Sequence, residues 1–282
     1  MDSLVSSEWL YDHLNDPDLI VLDCSVETLE TEHGLNNISG FAGYLGEHIP
    51  GAGFADLKGG LSDSSNPIEF TPPSAELFCE EMSKLGVGDD SKVVLYDRSI
   101  MAWASRIWWM LKWVGFDNAA LLDGGLSGWK SAGRTVEKGP VDCKMNVLTP
   151  NPRPHLIANR DEVLLAIDDG AVCLVDTMPK EIFEGGQQMY ARPGHIKSAI
   201  NLPALSALDE SGHFKQRVAL EELYQGVDRE KRQITYCGGG ILASQSAFVM
   251  QLIGFSDVAV YTASLQEWAT DLSNPMEISH TS

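Results

Sequence analysis

Tyr236-Cys237-Gly238-Gly239-Gly240-Ile241-Leu242-Ala243-Ser244 joins an apolar strand to an apolar helix through almost bare backbone. Upstream, Gln233-Ile234-Thr235-Tyr236 has the composition of a short buried strand, and residues 243–252 carry apolar side chains at helical spacing. Strand, glycine turn and helix together open an α/β unit, with the cysteine at the carboxyl end of the strand, where open parallel sheets bind ligands. The glycines have no β-carbons, so the turn can wrap N–H groups around the sulfur beside the positive end of the helix macrodipole. Both effects favour a thiolate. Cys237 is therefore the candidate nucleophile, and Gly238, Gly239, Gly240, Ile241 and Leu242 are its candidate anion cradle. An inert buried cysteine in a glycine-rich βα turn has the same local sequence, so the rest of the chain must decide.

An internal repeat spans the chain. Lys92-Val93-Val94-Leu95-Tyr96-Asp97 parallels Arg232-Gln233-Ile234-Thr235-Tyr236-Cys237, and Ala104-Ser105 parallels Ala243-Ser244. The following helices end alike at Val114-Gly115-Phe116 and Ile253-Gly254-Phe255, each a glycine stop before another strand. Ile20-Val21-Leu22-Asp23 matches Cys173-Leu174-Val175-Asp176, and His48-Ile49-Pro50-Gly51-Ala52 matches His195-Ile196-Lys197-Ser198-Ala199. One copy carries a cysteine and the other an aspartate, which cannot attack as a thiolate does. The second half is the chemically competent one.

The 282 residues suffice for two α/β domains of the commonest size, about 100–150 residues each. The stretch 139–153 holds Pro140, Pro150 and Pro152 with little periodicity and reads as a linker. It separates an N-terminal domain at 1–138 from a C-terminal domain at 154–282. A formal net charge of −20 excludes nucleic acid and anionic membrane surfaces as natural partners, since both are bound through basic residues. The apolar run Trp108-Trp109-Met110-Leu111 stops at Lys112, short of a spanning helix, and Met1-Asp2-Ser3-Leu4 lacks a signal-peptide pattern. Five cysteines at scattered positions, Cys24, Cys79, Cys143, Cys173 and Cys237, fit free thiols in a reducing cytoplasm, and none forms a metal-type pair.

These motifs, in this order and twice over, resemble the tandem-domain sulfurtransferases of the rhodanese and 3-mercaptopyruvate sulfurtransferase type. Tyr44-Leu45-Gly46-Glu47-His48-Ile49-Pro50-Gly51-Ala52 is similar to that family's N-terminal signature, and Gly194 to Pro203 to the matching C-terminal segment. The resemblance implies two rhodanese-like domains, each a parallel sheet with helices on both faces. It also implies a sulfurtransferase in which Cys237 takes sulfur from thiosulfate or 3-mercaptopyruvate as a persulfide. The sulfur then passes to cyanide or to a thiol, a thioredoxin-like protein being one such acceptor. No metal or cofactor is implied.

The donors are small anions, so cations are expected nearby. Arg192, just before Pro193-Gly194-His195, resembles a family arginine at the site mouth, and Arg106, one turn into the helix after Asp97, is a second candidate. Surface or local pairing is the alternative for each. Where family members carry further arginines this chain has Met178 and Ile182. The loop likewise lacks the basic residues of thiosulfate enzymes and the serine of mercaptopyruvate enzymes, having Gly238 and Gly239 instead. On that reading, Gly238→Arg with Gly239→Lys should favour thiosulfate, and Gly239→Ser should favour 3-mercaptopyruvate. His48, His195 and Asp97 are possible supporting residues, the histidines as turn anchors before proton carriers. The tryptophans are assigned to packing. A thiol phosphatase or arsenate reductase would need an arginine closing a Cys-x5-Arg loop, but position 243 is alanine. A non-catalytic binding module remains the other alternative.

Overall fold

A computed structural model describes residues 1–32 and 34–279. The chain forms two compact units. One comprises Met1–Ser65, Pro72–Pro152 and Glu210–Phe214; the other comprises Asn66–Thr71, Arg153–Asp209 and the described residues from Lys215 onward. The stretch expected to be a linker lies with the first unit through Pro152. Its backbone is tied down there, with Gly139 N–H donating to Leu45 O at 3.0 Å, Val141 N–H to the Tyr44 hydroxyl at 3.1 Å and Asn146 N–H to Ser83 O at 3.0 Å.

In the first unit the strands are β1 (Leu4–Val5), β2 (Leu19–Asp23), β3 (Val26–Thr31), β4 (Gly34–Ser39), β5 (Gly53–Phe54), β6 (Lys92–Tyr96) and β7 (Ala119–Leu122). The helices are α1 (Ser7–His13), α2 (Phe41–Gly46), α3 (Ala75–Lys84), α4 (Ala102–Trp113) and α5 (Gly125–Ser131). Five strands form a parallel sheet in the order β1-β7-β6-β2-β5, and β3 and β4 pair antiparallel apart from it. The second unit holds β8 (Ile157–Ala158), β9 (Val172–Asp176), β10 (His195–Ile196), β11 (Ile200–Asn201), β12 (Arg232–Tyr236), β13 (Val258–Tyr261) and β14 (Met276–Glu277). With them come α6 (Arg160–Ala166), α7 (Lys180–Phe183), α8 (Arg217–Leu223), α9 (Ile241–Leu252) and α10 (Ser264–Trp268).

Its parallel sheet runs β8-β13-β12-β9-β11, the same order strand for strand as in the first unit. Register is preserved as well, since Asp23 lies opposite Tyr96 and Asp176 opposite Tyr236. Central strands such as Val93-Val94-Leu95-Tyr96 are buried throughout, as a parallel sheet covered on both faces requires. Trp108 and Trp109 of α4, with Trp129 and Trp268, are buried as packing residues. The repeated helix stops hold: Gly115 and Gly254 follow α4 and α9 at φ 96° and 99°, a left-handed conformation that costs glycine little.

Candidate active site

Each central strand ends in the acidic or thiol residue that the repeat sets in correspondence. In the first unit, β6 runs into Asp97, and Met101 at φ 61° turns the chain into α4. The Asp97 carboxylate accepts four backbone N–H bonds, from Ser99 (2.9 Å) and Met101 (3.0 Å) on Oδ1 and from Trp103 and Ala104 (3.1 Å each) on Oδ2. Burial pushes this carboxyl's pKa up, and the bonds from Ser99, Ala104 and Met101 oppose that rise. The loop is therefore an anion cradle already filled by its own side chain. In the second unit, β12 runs into Cys237 and Gly240, at φ 81°, turns the chain into α9. Gly240 N–H reaches Cys237 Sγ at 3.1 Å. The buried Ser264 hydroxyl accepts from Cys237 N–H at 3.1 Å and donates to Tyr261 O at 2.6 Å, fixing the strand end.

The three glycines serve different needs. Gly240 supplies the positive φ. Gly238 leaves room for a neighbour, because a β-carbon there would fall on the hydroxyl of Tyr190. Gly239 lies under Gln266, whose Nε2 would be 2.8 Å from a β-carbon and whose Oε1 accepts Glu69 N–H at 3.1 Å. This corrects the expectation that an arginine–lysine pair drops into the loop: position 238 takes no side chain while Tyr190 stands in place. Sequence reasoning missed Tyr190 altogether. It belongs to no motif, and only the folded chain brings it over the loop, near enough for the Cys237 charge to contribute to the upward shift that burial gives its phenol.

A second difference between the units lies beneath the loops. In the first, Asp23 accepts Ser25 N–H (3.0 Å) and the Ser25 hydroxyl on Oδ1, while the Arg98 guanidinium, next to Asp97, grips Oδ2 through Nε and Nη2 at 3.2 Å each. In the second, Met178 replaces Ser25 and contributes only its N–H to Asp176 Oδ1 at 2.8 Å, and Gly238 replaces Arg98. Asp176 Oδ2 is buried without a hydrogen-bond partner among the described residues, and the Tyr236 phenol lies close to the carboxyl. Burial pushes this carboxyl up to about 7, against the lowering effects of Met178 N–H and the Tyr236 hydroxyl. Tyr190 and Tyr236 are titratable groups that feel its charge.

A raised carboxyl pKa makes the native state bind the extra proton, so its stabilising effect is complete below about pH 4 and is lost as pH rises through about 7. Asp176→Asn removes that titration. The stability of the variant relative to the unaltered protein is expected to improve by about 2–3 kcal/mol between pH 5 and pH 8. Denaturant unfolding at the two pH values checks this, and a difference that stays constant contradicts it.

The other polar sequence candidates contact backbone carbonyls and aromatic rings. Arg192 is corrected: its guanidinium is spent on four carbonyls, Ala269 (3.0 Å), Asn274 (3.0 Å), Trp268 (3.1 Å) and Asp271 (2.7 Å), so it clasps the chain rather than facing a donor. Arg106 is fully buried in α4 with its guanidinium over the Trp109 ring at 4.9 Å. His48 stacks on Tyr44 with Nδ1 2.9 Å from Tyr44 O, and His195 stacks on Phe183 with Nδ1 2.7 Å from Phe183 O. Both anchor turns. Ile241 is buried and Leu242 half-buried at the start of α9, next to the glycines. Met178 and Ile182 are buried and apolar where cations were sought.

Two repeated parallel sheets, one ending in a cysteine loop and the other in its aspartate counterpart, define a tandem rhodanese. The rhodanese-like domain profile matches residues 6–132 and 159–271, and the chain belongs to that family. It is 29% identical over 278 residues to the 3-mercaptopyruvate sulfurtransferase of Escherichia coli K12, covering 97% of both chains. To SseB of Mycobacterium tuberculosis, provisionally named a thiosulfate sulfurtransferase, it is 34% identical over 262 residues, covering 89% of this chain and 90% of that one. The crystal structure of SseA from Escherichia coli, solved as a 3-mercaptopyruvate sulfotransferase with the rhodanese fold, superposes with a TM-score of 0.84 at 28% identity, covering 94% of this chain and 99% of SseA. The chain is accordingly a sulfurtransferase, an enzyme with a sulfur donor and a sulfur acceptor as substrates. Among the described residues no helix is long and apolar enough to cross a membrane.

Proposed function

We propose that Cys237 is the sulfur carrier of this sulfurtransferase and that 3-mercaptopyruvate is its preferred donor, with thiosulfate a poorer one. The observation that carries the reading is the exchange of Asp97 for Cys237 on matched loops: where one copy holds a carboxylate in four N–H bonds, the other holds a sulfur with the Gly240 N–H at 3.1 Å. A site that stabilises an anion at that point stabilises both the attacking thiolate and the persulfide that follows. The thiolate attacks the donor sulfur, the Cys237 persulfide forms, and a thiol or cyanide takes the outer sulfur in a second step. A protein thiol of the thioredoxin type is an acceptor the same chemistry admits. The five cysteines, all free, support a reducing cytoplasmic setting.

The preference for 3-mercaptopyruvate follows from charge. The loop carries no cationic side chain, and Arg192 is committed to carbonyls. The thiosulfate dianion loses more on entering such a site than a monocarboxylate does. In an initial-rate survey of both donors against cyanide and a dithiol, kcat/KM is expected to favour 3-mercaptopyruvate by at least about tenfold, with the parallel-line pattern of a two-step covalent route. Equal use of the two donors would overturn the assigned preference, and intersecting lines would overturn the two-step route.

A further inference from the structure

The Tyr190 hydroxyl lies where the path of a residue-238 side chain would begin, at the position that in the first unit sends Arg98 to Asp23. The second unit keeps the buried aspartate, Asp176, and has lost the arginine, and Oδ2 has no hydrogen-bond partner among the described residues. A phenol has taken the space. Its backbone is held from both sides: Gln188 Nε2 donates to Tyr190 O at 3.0 Å, and two residues on Arg192 is fixed by its four carbonyl bonds. Tyr190 thus sits on an anchored segment, over the residue that follows Cys237, and with burial and two neighbouring acidic groups, Cys237 and Asp176, keeping its hydroxyl in the protonated, donating form.

We infer that Tyr190 is a catalytic residue of this site, its hydroxyl donating a hydrogen bond to the ketone oxygen of 3-mercaptopyruvate as that oxygen gains negative charge. The inference rests on Cys237 being the sulfur carrier. In the step concerned, the Cys237 thiolate forms the S–S bond and the donor's C–S bond breaks. The electron pair of that bond becomes the enolate of pyruvate, with charge on the oxygen facing Tyr190. The proton of the transferred SH group, acidic once it belongs to a persulfide, ends on the enolate carbon. The products are the persulfide anion and pyruvate, and no other reactant is consumed. A half-buried neutral donor beside developing charge acts mainly in the transition state. Tyr190 supplies the hydroxyl for which the loop itself has no serine.

The test uses Tyr190→Phe in the full chain and follows sulfur loading of Cys237 by intact mass in single turnover, once with 3-mercaptopyruvate and once with inorganic polysulfide. Polysulfide loads a thiolate and releases a sulfur anion that needs no such donor. Loading from 3-mercaptopyruvate is expected to slow about 10²-fold, in the range for removal of one oxyanion-type donor, and loading from polysulfide to change less than about threefold. A structural role would slow both alike. Equal losses, no loss, or an unaltered protein that loads from polysulfide but not from 3-mercaptopyruvate each refute the role. Sulfur uptake by Cys237→Ser in the same assay marks a different failure, that of the sulfur-carrier reading itself. A double variant gives a second check. Gly238→Arg alone is expected to lose activity against the Tyr190 hydroxyl, and Tyr190→Ala added to it is expected to restore polysulfide loading, because the arginine can then reach Asp176 as Arg98 reaches Asp23. No restoration contradicts the shared socket.

Discussion

Cys237→Ser is expected to lower kcat/KM for every sulfur donor by at least about 10³-fold while leaving the fold intact. A hydroxyl in place of the thiol remains protonated near neutral pH and is a poor nucleophile toward sulfur, so the covalent route closes at its first step. Serine is smaller than cysteine, and its oxygen can accept the same Gly240 N–H that now reaches the sulfur at 3.1 Å. The loop therefore has no reason to rearrange, and circular dichroism and thermal unfolding should match those of the unaltered protein. A variant that folds and still turns over at more than a few per cent would place the chemistry on another residue.

Gly240→Val is expected to reduce turnover by about 10²-fold or more, the second-largest effect. Gly240 sits at φ 81° and ψ 0°, a left-handed conformation that costs an ordinary residue about 1–2 kcal/mol and a β-branched one more. The strain is relieved only by rotating the backbone out of that region, which swings the Gly240 N–H away from Sγ and moves the start of α9. Both the anion cradle and the helix end then lose their aim at the sulfur. Gly240→Ala should be milder than valine in the same direction. Steady-state rates with unfolding midpoints as a control check the order, and an unchanged rate for valine would show that the loop geometry is immaterial.

The repeat was legible because each strand–turn–helix module carries its own local signals: an apolar run, a loop residue and a glycine stop. Fold class, duplication and the candidacy of Cys237 follow from contacts near in sequence. Tyr190 was not legible, because its place over Gly238 depends on how the segment after α7 is folded back and clasped by Arg192. The same distance in sequence hid the carbonyl partners of Arg192, for which the family resemblance offered a place at the site mouth and local pairing was the alternative. Asp176 could be aligned with Asp23, yet the buried Oδ2 that has no hydrogen-bond partner among the described residues emerges only when the Arg98 contact is seen in the first unit and missed in the second. The assignment of Asn66–Thr71 and Glu210–Phe214 to units other than those of their chain neighbours leaves no compositional trace at all.

The central claim is that one thiol carries the sulfur. Burial pushes up the thiols of Cys24, Cys143 and Cys173, and that of Cys79 to about 12, which leaves those four poor thiolates near neutral pH. Intact mass after incubation with 3-mercaptopyruvate and no acceptor tests the claim most directly. A single gain of about 32 Da, one sulfur atom on a thiolate, is expected in the unaltered protein and in the serine variants of Cys24, Cys79, Cys143 and Cys173, and is expected to be absent from Cys237→Ser. A gain of that size surviving in Cys237→Ser contradicts the account.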